Sequence, residues 1–269
     1  MLSRLRRTVP FKLRVALLVL AALGALSAAA AVALPDEEAP RPVTLDEAQR
    51  LAMARFSAYE SGTMRVDVVL DDGSGTTSVH GLADFRTHHA VGRYAVTGSG
   101  GTSDGLLAWD STGLAVASAP ARVGGASARA DGAAAAAKAA AAVKPRAWSP
   151  RAYTEDSLDS ALRLVMGLAN DRPDNPQLLA QGGPRHLREE TLDGTSYTVF
   201  AGPRPRGSAR DSRSPLTFWV DGQGRLGRVE ARIAPLPRPA RIDFAPAPAG
   251  LRVPGQPWAA APGGGPGGR

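Results

Sequence analysis

The sequence has no cysteine among its 269 residues. That absence excludes disulfide staples, thiol chemistry and a lipid-modified cysteine anchor. Lysine is nearly missing too, limited to Lys12, Lys138 and Lys144, so arginine carries the positive charge. The composition is skewed to Ala, Gly, Pro and Arg, as a GC-rich genome produces, and arginine abundance therefore says little about a ligand. A basic stripe in the folded part is also lacking. Net charge is +7, but Arg4, Arg6, Arg7, Lys12 and Arg14 supply +5 before residue 15, leaving +2 for the rest. A nucleic-acid binder carries its charge on the folded surface, so nucleic acid is not expected as a partner. What is present suffices for a core: 43% of residues are apolar, counting alanine, in a chain long enough for one large or two small domains.

The first forty residues set an address. Residues 15–34, "VALLVLAALGALSAAAAVAL", are uncharged throughout. As a helix rising about 1.5 Å per residue, they span the roughly 30 Å of a bilayer core. Basic residues 1–14 precede this run and Asp36, Glu37 and Glu38 follow it. The N-terminus is therefore expected in the cytoplasm and the remainder outside. Ala31-Val32-Ala33 also fits a signal-peptase site, which would release the protein as a secreted chain. The expectation taken is a single-pass cell-membrane anchor with an extracytoplasmic domain at 44–244.

Thr44-Leu45-Asp46-Glu47 has the form of a capping box opening a helix to about Ser57 or Tyr59, with Phe56 buried. In "TMRVDVVL", Met64, Val66, Val68 and Leu70 share one face of a strand, and Asp72-Gly73 marks a hairpin. Strands are expected at 77–86, 91–97 and 105–117. Residues 118–147 are alanine-rich and of low complexity, read as a loop or loosely docked helix without a strong apolar stripe. A helix at 154–170 shows Leu158, Ala161, Leu162, Val165 and Leu168 on one face. "DRPDNP" stops it, and Asp174 and Asn175 are expected to cap backbone amides. Closing strands are expected at 185–192, 195–201, 215–221, 225–234 and 240–244. Asp193-Gly194 and Asp221-Gly222 mark turns. Leu226 has the wrong parity for the face shared by Val229 and Ile233, and a bulge at Gly227 would correct it. Residues 245–269 read as a disordered Pro/Gly-rich tail.

The hairpin "WVDGQGRLGRV", with Trp219, Val220, Asp221, Gly224, Leu226, Arg228 and Val229, resembles one in the half-barrel lipoprotein-carrier family. Its members include the lipoprotein localisation factor LolA and the mycobacterial lipid-binding lipoproteins LppX and LprG. "HGLADFR" (80–86) and "LDGTSYTVF" (192–200) sit where comparable strands of that family fall. The resemblance implies an α+β fold: a strongly curved antiparallel β-sheet, a half-barrel, wrapped around a few helices and here preceded by one N-terminal transmembrane helix. It implies an actinobacterial, membrane-anchored member that binds a lipid or other apolar ligand without catalysis. Met64, Val66, Val68, Phe218, Val220, Val229 and Ile233 then become candidate cavity residues. The alternative is an envelope sensor or protein-interaction module of the same fold with no lipid cargo. This chain departs from the family in lacking the lipobox cysteine.

No catalytic residue, metal ligand or cofactor is expected. Gly101-Thr102-Ser103-Asp104-Gly105 matches G-x-S-x-G, but a nucleophile elbow needs a strand before it and a helix after it. His80, His88 and His89 lack the spacing of a metal site, because adjacent strand residues face opposite sides. Asp156 and Asp159, or Glu189 and Glu190, are read as structural carboxylates rather than a glycosidase pair.

Overall fold

Thr44 closes the capping box that the sequence predicts. Its hydroxyl accepts from the Glu47 amide at 3.2 Å, and the Glu47 carboxylate accepts from the Thr44 amide at 2.7 Å. Two orphan donors are thereby satisfied, and helix α1 (Leu45–Ser61) begins there. Gly62, with φ 64°, ends it. Phe56 proves half-buried, because Leu51, Ala54 and Ala58 form the stripe that faces the core.

The structure is a computed structural model that describes residues 39–99, 101–119, 129–205, 207 and 212–255. The expected basic segment and anchor, residues 120–128 of the alanine-rich stretch and residues 256–269 of the expected tail lie outside the described residues. Among the described residues, no helix is long and apolar enough to cross a membrane.

Twelve strands form one antiparallel sheet. They are β1 (Arg41–Pro42), β2 (Thr63–Asp71), β3 (Gly75–Asp84), β4 (His89–Gly98), β5 (Gly101–Asp110), β6 (Gly113–Ala117) and β7 (Ser149–Ala152), then β8 (Arg185–Leu192), β9 (Thr195–Ala201), β10 (Leu216–Asp221), β11 (Leu226–Ala231) and β12 (Ala240–Pro246). Their spatial order is β1-β8-β9-β10-β11-β12-β2-β3-β4-β5-β6-β7. Two meanders are thus joined where the last strand, β12, pairs with β2. The sheet is curved and does not close, since β1 and β7 remain its two edges. Three more helices complete an α+β fold: α2 (Arg129–Ala142), α3 (Ser157–Gly167) and α4 (Pro176–Gln181).

Turn chemistry sets the register. Asp193 and Gly194 both have positive φ, as a tight hairpin between twisted strands requires. Asp72 accepts from the amides of Ser74 and Gly75, and Asp221 accepts from those of Gln223 and Arg225. One turn differs from expectation. Residues 105–117 are two strands, because the Asp110 carboxylate gathers the amides of Thr112 and Gly113 and reverses the chain. The bulge falls at Gly227: Trp219 pairs with Arg228 while Val220 pairs with Leu226, which turns Leu226 into the core.

One row across the inner face runs from Val66 through Gly81 and Gly92 to Leu107. A Cβ on Gly81 would lie 2.2 Å from the Val91 carbonyl oxygen. The backbones of β3 and β4 approach too closely there for a side chain at Gly81, which is what glycine permits. Against this face pack Leu51, Ala54 and Ala58 of α1, and Ala161, Leu162, Val165 and Met166 of α3. Each large side chain buried here contributes about 1.5–3 kcal/mol.

The opposite face carries a second, smaller cluster. Leu82, Val91, Leu106 and Ala108 are covered by Ala133, Ala137 and Ala140 of α2, with Trp148 and Val253 beside them. The alanine-rich stretch therefore has a stripe, made of methyl groups at helical spacing that hydrophobicity barely registers. Residues 245 and 246 extend β12, and Leu251 packs on this outer cluster.

Candidate functional site

Met64, Val66 and Val68 come from β2, Phe218 and Val220 from β10, and Val229 from β11. All six are buried in one apolar cluster on the face that bears α1 and α3. Ile233 packs against the same cluster but is half-buried and outside β11, which ends at Ala231. The fold thus brings the seven candidates together. Facing them are not open walls but side chains of α1 and α3, with Phe85, Trp109, Phe200 and Ile242 filling between. Two shallow, open concavities lie elsewhere among the described residues. One, about 310 Å³, lies at the hairpin ends among Asp72, Thr77, Val96 and Ser103. The other, about 360 Å³, lies at the β6–β7 edge between Thr112, Leu114 and Arg151. None of the seven lines either one.

Within the apolar cluster one polar atom stands out. Trp109 is fully buried, and its indole Nε1 has no hydrogen-bond partner. An unpaired buried donor of this kind costs about 1–3 kcal/mol. Sequence reasoning missed it, because a tryptophan in a strand pattern reads as ordinary core.

Helix α3 is fixed by a single buried carboxylate. Asp159 accepts from Arg151 Nη1 at 2.5 Å and Nη2 at 2.8 Å, and from the amide and hydroxyl of Thr154 at 2.7 and 2.8 Å. Burial pushes the Asp159 carboxyl up, but these donors outweigh it and hold the group below the usual carboxylate range. Asp156 caps α3 through the Leu158 amide. The paired-carboxylate pattern is therefore one cap and one ion pair.

A polar knot occupies the β1–β8 edge. Arg41 holds Glu47 with two bonds of 2.8 Å. That guanidinium, first, and the Thr44 amide outweigh burial and bring the Glu47 carboxyl down to about 2. His186, buried on β8, places Nε2 3.2 Å from Glu189, which also accepts from Thr198. Glu190 instead pairs with Arg188 at 2.7 Å. Adjacent Glu189 and Glu190 have different partners on opposite faces, as strand alternation requires.

The face of the sheet opposite α1 and α3 carries an ion-pair ladder. A single register row runs Arg188, Val199, Trp219, Arg228, Asp243, Asp67, His80, Arg93. Arg188 and Arg228 each lie 5.7 Å from the Trp219 ring. Arg228 reaches Asp243 at 2.5 Å, His80 Nδ1 lies 2.7 Å from Asp67, and Arg93 pairs with Asp104. Sequence alone did not connect His80 with Asp67, because the pairing is cross-strand and depends on register. Among the described residues, no cluster of three potential metal ligands forms.

Ser103 sits within β5, a strand running from Gly101 to Asp110, rather than at a strand-to-helix elbow. In "RPDN", Asn175 caps α4 through the amides of Gln177 and Leu178 as expected. Asp174 does not cap; it pairs with Arg55 of α1 at 3.2 Å.

No protein-family model matches the chain, and no curated protein matches it. Among solved structures it is similar to a DUF1329 family protein from Desulfovibrio piger. The two are 12% identical over 79% of this chain and 95% of that one, with a TM-score of 0.23. A likeness of that size carries no argument about fold or function.

Proposed function

We propose that this chain is a non-catalytic binding module of the half-barrel lipoprotein-carrier type, tethered outside the cell membrane by residues 15–34. It engages an envelope protein through its surface and carries no lipid inside. The observation that supports this reading is the filled face under α1 and α3, where those helices occupy the space a cargo chain would need. The half-barrel resemblance rests on the "WVDGQGRLGRV" hairpin and on the curved, unclosed antiparallel sheet. Photo-crosslinking from Arg188 and from Arg241, which pairs with Asp243 of the ion-pair ladder, tests it in membranes of the source cell. A discrete protein adduct is the expected result. Adducts to lipid alone, with none to protein, overturn it.

A second reading is favoured by one atom. The unpaired Trp109 Nε1 lies inside the apolar cluster and would donate to the carbonyl oxygen of an acyl ligand. Buried methylenes at about 0.8 kcal/mol each would hold the tail of such a ligand. That reading requires α3 to give way, and mass spectrometry of an organic extract of the purified full chain tests it. Stoichiometric acyl lipid supports it, and an empty extract rules it out.

A further inference from the structure

We infer that Trp219 and Arg228 form the seat for a carboxylate of the protein partner, which presents an acidic segment to the sheet face opposite α1 and α3. The inference deepens the proposed function and rests on it. Trp219 on β10 and its neighbour Val199 on β9 are buried, at 2% and 0% exposure, yet they belong to neither apolar cluster. On this face α2 covers Leu82, Val91, Leu106 and Ala108, which lie on β3, β4 and β5. Over Trp219 stand guanidinium groups instead. Arg188 comes from β8 on one side of the register row and Arg228 from β11 on the other, each 5.7 Å from the ring. An indole lidded by arginines has a cover that a partner can exchange, and tryptophan and arginine are the residues that dominate interface energies.

Donors on this face lack acceptors. Among the described residues, six buried side-chain nitrogens have no hydrogen-bond partner, and three of them, Trp219 Nε1, Arg65 Nε and Arg241 Nε, lie here. Arg188 places Nε and Nη2 on Glu190, at 3.1 and 2.7 Å. Arg228 donates only through Nε, to Asp243 at 2.5 Å, which leaves its end-on fork of Nη1 and Nη2 without a hydrogen bond. A planar carboxylate fits such a fork with two parallel bonds. The same group brings an acceptor toward the indole N–H and so relieves a buried unpaired donor. Arg228, 20% exposed, is the anchored arm, and Arg188, 46% exposed, is the one free to swing off the ring as the carboxylate enters. The charge already present selects the ligand. Glu190 and Asp243 bind the two arginines, so a carboxylate adding one negative charge is accommodated where a phosphate group, adding about two, is repelled.

The test is nuclear magnetic resonance of the full chain, isotope-labelled at its indole nitrogens, in detergent micelles. The probe is a blocked hexaglutamate peptide, with blocked hexalysine and inorganic phosphate at matched ionic strength as controls, and Trp219→Phe assigns the Trp219 signal. The Trp219 indole proton is expected to move downfield and to saturate with hexaglutamate alone. Arg228→Gln is expected to weaken that binding about tenfold or more, since charge-assisted bonds are lost. Arg93→Gln, at the other end of the same register row, is expected to leave it nearly unchanged. Where Arg228→Gln disturbs the signals of Trp109 and Trp148, Arg228→Lys keeps the charge without the fork and is expected to show the same loss. An indole that stays still, a shift that survives loss of the fork, or an equal response to phosphate each overturns the inference. A discrete protein adduct from position 188 in membranes, beside a silent indole, overturns the inference and leaves the proposed function standing. Absence of any protein adduct overturns the proposed function, and the partner carboxylate with it.

Discussion

Arg151, on the edge strand β7, grips the fully buried Asp159 of α3 with both terminal guanidinium nitrogens. This pair holds a core helix to the rim of the sheet. Arg151→Ala leaves a buried carboxylate with only the Thr154 donors. Removing one partner of a fully buried pair costs about 3–5 kcal/mol. Because the Arg151 side chain is 43% exposed, the expected loss is about 2–3 kcal/mol. Urea unfolding by circular dichroism measures it, and Arg151→Lys is expected to recover only part, having lost the two-pronged geometry.

Glu47 gives the fold an acid limit. Its carboxyl is held at about 2 by Arg41 and the Thr44 amide, below its value in the unfolded chain. A depressed carboxyl contributes stability that is present above the unfolded value of about 4.5 and is lost as pH falls toward 2. Thermal melting is therefore expected to decline across that interval. Glu47→Gln should be less stable at pH 7, by about 1 kcal/mol for the lost cap and ion pair, and should decline less on acidification.

Gly81 and Gly92 sit where β3 and β4 approach too closely for a side chain. Gly81→Ala forces a methyl against the Val91 carbonyl and is expected to cost about 1–3 kcal/mol. A glycine in open space, Gly222, provides the control, since nothing lies within 4 Å of its added Cβ. Differential scanning calorimetry of the two variants separates crowding from loss of backbone freedom.

Much of this architecture was legible because it is written in local chemistry. The Thr44–Glu47 box, the Asp-Gly turns and the parity break at Leu226 each act through neighbours within a few residues. The seven core candidates followed from strand alternation, which fixes a shared face but not what packs on it. That α1 and α3 fill the space opposite them depends on tertiary packing. The Asp67–His80 pair depends on sheet register, and the alanine stripe of α2 depends on the sheet beneath it. Periodicity within one segment carries none of these.

Trp109 separates the two functional readings. If nothing accepts from its Nε1, Trp109→Phe removes an unpaired donor and keeps most of the apolar volume. Stability should then change little, because the relieved donor, about 1 kcal/mol or more, offsets the smaller ring. A loss of several kcal/mol in denaturant titration would instead mean that the indole has a partner in the working protein.

The most direct test of a filled interior is titration of the purified full chain with a fluorescent fatty acid. The packing of α1 and α3 against Val66, Val68 and Val220 predicts no saturable signal at ligand concentrations where a carrier would load. Saturable one-to-one binding, abolished by Trp109→Phe, would contradict the account and assign this fold a cargo after all.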